Sequence, residues 1–88
     1  LFVYDKGAEM MNKDVYLTKD LYEASALYSM DRKFVGLKQE GNYAWFQFEG
    51  KADCQRLADE FWSRKTTVNA KAYAEAIRTL KDRIFSRQ

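Results

Sequence analysis

The chemistry available to this chain lies in its aromatic and basic residues. Tyr43-Ala44-Trp45-Phe46-Gln47-Phe48 alternates in the manner of a β-strand. Successive strand residues point to opposite faces, so Tyr43, Trp45 and Gln47 share one face and Ala44, Phe46 and Phe48 the other. Val15-Tyr16-Leu17 reads as a second, shorter strand, with Val15 and Leu17 expected inward and Tyr16 expected beside Tyr43 and Trp45. Three rings on one sheet face are suited to stacking on the bases of a single-stranded nucleic acid, or to burial beneath an apolar surface. Lys19 and Lys38 lie next to these strands, and Arg78 and Lys81 belong to a basic C-terminal third. Such cations are the groups that meet phosphates.

Other chemistry is excluded by composition. The 88 residues include no His and one Cys, so His-based catalysis, His-ligated metal, an intramolecular disulfide and a Cys-cluster zinc site all fall away. The four Gly, at 7, 36, 41 and 50, form no phosphate-binding loop. Asp59 and Glu60 are adjacent carboxylates, but neighbouring helix residues diverge by about 100° and cannot share a proton or a metal. Cys54 falls on an apolar helix stripe, the setting of a core thiol rather than a nucleophile. No enzymatic activity and no cofactor are expected.

The elements that must position these residues follow from spacing. Residues 1–13 read as an N-terminal arm or short strand, and 14–88 as one α+β domain. After the Val15–Leu17 strand, Leu21, Ala24, Leu27 and Tyr28 recur at helical spacing. Thr18 is a candidate N-cap, and Asp20 with Glu23 reads as a capping box. Residues 34–39 and 43–48 form a hairpin about Glu40-Gly41-Asn42, with Phe34 and Gly36 alternating against Val35 and Leu37. Cys54, Leu57, Ala58, Phe61 and Trp62 mark the apolar stripe of a second helix after Gly50. Thr66-Thr67-Val68 is extended or a brief strand. Asn69 caps a last helix to about Phe85, with Tyr73, Ala76, Ile77, Leu80 and Ile84 on one face. The fold class expected is α+β: a small antiparallel sheet in a strand-helix-strand-strand-helix core, with an additional C-terminal helix.

Charge and hydropathy refine the class. Lys and Arg number 15 against 13 Asp and Glu, a net of +2, yet the segment from Phe61 onward carries seven basic and two acidic residues. Lys71/Glu75 and Arg78/Asp82 stand at i,i+4 and are expected to pair along the helix. No apolar run is long enough to span a membrane, and no basic segment followed by an apolar stretch opens the chain as a signal peptide would. A lone core Cys suits a reducing compartment, so a cytoplasmic location is expected.

Two resemblances bear on function. Residues 43–48 resemble the last six positions of the longer signature of RNA-recognition-motif domains, and Val15-Tyr16-Leu17 is similar to the start of the shorter one. That likeness implies that Tyr16, Tyr43 and Trp45 stack on bases. Gly41-Asn42 replaces the basic residue and Gly that open the longer signature, and a full fourth strand is missing. A broader likeness, over about residues 15–85, is to a family of short uncharacterised bacterial and phage proteins. It rests on Thr18-Lys19-Asp20-Leu21-Tyr22 with Ala24, Phe34-Val35-Gly36-Leu37, Phe46-Gln47-Phe48, Ala72-Tyr73 and Leu80-Lys81-Asp82-Arg83-Ile84. It implies a small stand-alone intracellular protein, in the host cytoplasm if phage-encoded, and no particular activity.

The position of the last helix separates the readings. Its apolar face needs a surface, and the simplest one is the sheet face opposite the first two helices, over Tyr16, Tyr43 and Trp45. A small non-enzymatic module acting by protein association or oligomerisation is the function expected. Single-stranded nucleic-acid binding by Tyr16, Tyr43 and Trp45, with Lys19, Lys38, Arg78 and Lys81 toward phosphates, is the alternative.

Overall fold

The computed structural model describes residues 14–86, so the arm or strand expected at 1–13 lies outside the described residues. The order is β1 (Val15–Thr18), α1 (Leu21–Ser29), β2 (Phe34–Glu40), β3 (Tyr43–Glu49), α2 (Lys51–Trp62) and α3 (Ala70–Ser86). This is the α+β arrangement with a C-terminal helix. The sheet order is β1-β3-β2, and β3 is antiparallel to both neighbours. β1 and β2 therefore run the same way on either side of β3, which requires the crossover that α1 provides. Thr66-Thr67-Val68 forms no strand. It joins two helices on one side of the sheet and pairs with no strand edge.

Local signals explain the boundaries. The Asp20 side chain caps α1 by accepting from the Glu23 N–H at 2.8 Å, while Thr18 Oγ1 accepts from the Asp20 N–H. Asn69 Oδ1 caps α3 through the Ala72 N–H at 2.8 Å. A two-residue turn closes the hairpin, with φ of 60° at Gly41, a value glycine adopts without strain. Both α1 and α2 stop without glycine. Asp31 and Arg64 each adopt φ of 63°. The next N–H bonds return to the helix, from Arg32 to the Leu27 carbonyl and from Lys65 to the Glu60 carbonyl, which is the Schellman pattern.

The hairpin departs from simple alternation. Phe34 pairs with Phe48 and Gly36 with Gln47, leaving Val35 as the extra residue of a β-bulge. Beyond the bulge the phase changes, so Phe34 and Leu37 both reach the core side, and Val35 is exposed. The core joins Ala24 and Leu27 of α1, Phe46 and Phe48 of β3, Cys54 of α2 and Leu80 of α3. Burying Leu27, Phe46, Phe48 and Leu80 contributes about 6–12 kcal/mol.

All three helices pack on this same side of the sheet. The expectation that α3 covers the opposite face is corrected: α3 lies against α1, Leu80 enters the shared core, and the Tyr73 hydroxyl donates to the Tyr22 carbonyl at 3.4 Å. The bulge supplies the reason. It turns Phe34 and Leu37 inward, so the inner face carries more apolar surface than the nine-residue α1 and the stripe of α2 can cover. Leu80 and Ile84 complete that cover, with Arg83 5.2 Å from the Phe34 ring. α1 is enclosed as a result, with Glu23 through Leu27 buried without a break.

Candidate functional site: the open face of the sheet

With the helices on one side, the other face of the sheet stands clear of the described elements. β3, the middle strand, presents Tyr43, Trp45 and Gln47 there, while Phe46 and Phe48 point into the core, as the alternation predicts. β2 places Lys38 directly opposite Trp45 and Glu40 opposite Tyr43. From the β1 side, Lys19 sets its ammonium 4.1 Å from the Tyr43 ring centroid and 5.3 Å from that of Trp45. Tyr43 is 57% exposed and Leu17 40%. Val15, Leu17, Lys38 and Gln47 line a shallow depression of about 350 Å³. Two aromatic rings on the middle strand thus have a lysine on either side.

Three of the expected site residues lie elsewhere. Tyr16 pairs across the sheet with Phe48 and shares its inward face, so Val15 and Leu17 are the outward residues of β1. The expected orientation of β1 is inverted because a shift of one residue exchanges the two faces of a strand. Arg78 and Lys81 are exposed on α3, in the helix layer rather than on the sheet. The i,i+4 pairs expected along α3 are not formed. Ion pairs among the described residues are Arg32–Asp53, Arg56–Asp53, Arg56–Glu60 and Lys33–Glu49.

Tyr16 leads instead to a polar cluster at the junction of β1, α1 and α2. Its hydroxyl donates to Glu23 Oε2 at 2.7 Å, and Trp62 Nε1 donates to Glu23 Oε1 at 2.7 Å. Glu23 is 6% exposed, with both oxygens occupied by neutral donors. Its side chain therefore does not return to the Asp20 N–H, and the expected capping box is only half made. Burial holds the Tyr16 hydroxyl well above the ordinary tyrosine value, and the Glu23 hydrogen bond and charge act in the same direction. Trp62, expected in the core stripe, is instead 59% exposed, its indole anchored by Glu23 and set edge-on to Phe61 with 5.1 Å between centroids. Nothing in the spacing of Tyr16, Glu23 and Trp62 announces this cluster, because one of its bonds spans 39 positions.

Cys54 is fully buried, and its thiol donates to the Glu49 carbonyl at 3.4 Å. Burial pushes the thiol up, against a smaller downward pull from Arg32. That is the setting of an inert core thiol. Asp59 accepts from Gln55 and Glu60 from Arg56, so the two carboxylates face separate partners. No helix among the described residues is long and apolar enough to cross a membrane. In comparisons with protein-family models, curated proteins and solved structures, the chain matches none.

Proposed function

We propose that this protein is a small non-enzymatic binding module that holds a short stretch of single-stranded nucleic acid on the open sheet face. Tyr43 and Trp45 stack on bases, and Lys19 and Lys38 meet the flanking phosphates. The observation that carries this reading is the pair of rings on the middle strand, flanked by a lysine from each side, on a face that no described helix covers. The Lys19 ammonium rests over these rings without ligand; a base takes its place and the ammonium turns to the phosphate.

Area separates this reading from a protein partner on the same face. Three strands up to seven residues long span about 14 by 23 Å, roughly 320 Å². A stable protein interface takes about 800 Å² from each partner. Stacking yields about 1–3 kcal/mol per base from very little area. The electrostatic share is modest, since Glu40 lies on the same face as the two lysines. Neutralising two phosphates gives a slope of log K against log salt of about −1.4.

Fluorescence anisotropy of a labelled oligothymidylate tests the reading. Binding is expected at low salt, weakened about tenfold or more by Trp45→Ala, a loss of the size that one stacked base supplies. Glu40→Gln tightens it by about two- to threefold at low salt. Absence of binding at low salt, or affinity indifferent to Trp45, removes the proposal.

A second reading, protein association, has an observation of its own. Tyr22, Tyr28, Trp62 and Phe85 expose large apolar surface on the helix layer, and Trp62 is already held in place by Glu23. Sedimentation that rises with concentration in the native chain and in Trp45→Ala, but not in Trp62→Ala, would place the function there. The resemblance to short bacterial and phage proteins implies no activity, and a cytoplasmic location accords with either reading.

A further inference from the structure

A cleft of about 430 Å³ opens between the tip of the hairpin and the last turns of α3. Gln39, Asn42, Tyr43, Ala44 and Phe46 line it from the hairpin, Ile84 from α3, and Lys19 from the segment between β1 and α1. Ala44 is the reason the space exists. It is the one small side chain in the inward row Ala44, Phe46, Phe48, so the sheet is left hollow where the helix cover thins. The volume falls in the range of small-molecule sites, about 300–1,000 Å³.

The polarity of the lining is one-sided. Among the described residues, Lys19 is the only charged one in the lining. Asn42 adds an amide donor, and the Gln39 amide spends one N–H on the Gly41 carbonyl at 3.0 Å and keeps its second N–H and its oxygen. Phe46 and Ile84 are apolar. Ile84 sits in the last turn of α3, at the negative end of the helix dipole, which disfavours an anionic group. A ligand with one negative end and one apolar end therefore has a single favourable orientation, with its charge at Lys19 and its body toward Ile84.

We propose that this cleft binds a small anion with a single-ring apolar body, an aromatic carboxylate in the simplest case. The ring lies against Phe46 and Ile84, and the carboxylate accepts from Lys19 and Asn42. This site does not depend on the nucleic-acid reading. Lys19 and Tyr43 border both surfaces, but of Ala44 and Trp45 only Ala44 lines the cleft and only Trp45 belongs to the open sheet face.

Benzoate is the probe, with benzyl alcohol and acetate as its apolar and anionic halves, each titrated while amide shifts are followed by NMR. Saturable benzoate binding is expected, with shifts centred on Ala44, Phe46 and Ile84, at an affinity about two- to fivefold above benzyl alcohol, as one exposed ion pair supplies. Acetate alone should not saturate the same signals. Lys19→Gln should bring benzoate down to the alcohol, and Ala44→Leu, which fills the cleft, should abolish both. Trp45→Ala should leave benzoate binding unchanged, and Ala44→Leu should leave oligothymidylate binding unchanged. Shifts that fail to saturate or that map to the open sheet face would overturn the proposal. So would benzoate affinity that survives Ala44→Leu, or benzoate preference over the alcohol that survives Lys19→Gln.

Discussion

Replacing Glu23 by Ala leaves the Tyr16 hydroxyl and the Trp62 indole N–H without their acceptor at a partly buried junction. The expected loss is about 1–3 kcal/mol in urea denaturation, with Trp62 emission shifted as the ring is released. Tyr16 adds a pH signature. In the unfolded chain it ionises at the ordinary 10.0, and in the folded chain at a higher value, because burial and Glu23 disfavour the phenolate. The folded state thus holds this proton more tightly. Its contribution is complete below about pH 10 and is lost as pH rises through the folded value. Stability of the native chain should fall more steeply above pH 10 than that of Tyr16→Phe, measured as urea midpoints across the alkaline range. Equal slopes would show that Tyr16 ionises as freely folded as unfolded. At this scale the chain was legible where periodicity decides and opaque where register decides. The outward Tyr43 and Trp45 follow from a six-residue alternation. Tyr16 sits in a four-residue strand, where Val-Tyr-Leu is apolar on both faces and only the pairing with β3 selects the inner one.

The helices differ in how openly they begin and end. Asn69 announces the start of α3 and does cap it, so Asn69→Ala should cost about 1 kcal/mol in thermal or urea unfolding. The ends of α1 and α2 carry no such mark. Asp31 and Arg64 occupy left-handed backbone that glycine favours, and their neighbours complete Schellman bonds in spite of that. Arg64→Gly should therefore raise stability by about 0.5–1 kcal/mol, the relief of the left-handed strain less the entropy glycine adds to the unfolded chain. Asp31→Gly should gain less, since Asp tolerates this conformation better than Arg. A loss of stability on Arg64→Gly would mean that the Arg side chain contributes more than its backbone strain costs. The bulge at Val35 was likewise invisible in an alternating apolar run, yet it decides which residues of β2 the helices must cover.

At the scale of the whole molecule, the order of elements could be read from spacing, whereas the layer occupied by α3 could not. An amphipathic helix states that one face must be buried and is silent on which surface buries it. Strict alternation along β2 would turn only one of Phe34 and Leu37 inward, a smaller face for the helices to cover. The bulge and the inward Tyr16 enlarge that face, α3 is drawn to it, and the described elements leave the opposite side of the sheet uncovered, with Tyr43, Trp45, Lys19 and Lys38 upon it. The charge distribution follows the same division, since the basic residues of α3 lie in the helix layer and, among the described residues, Lys19 and Lys38 flank the rings of the open face. The most direct test of this arrangement is the emission of Trp45, isolated in a Trp62→Phe background, during titration with oligothymidylate at low salt. Saturable quenching that is reversed by added salt and diminished by Lys38→Glu is the predicted result. Emission that stays constant throughout the titration would contradict a nucleic-acid platform on the open face of the sheet.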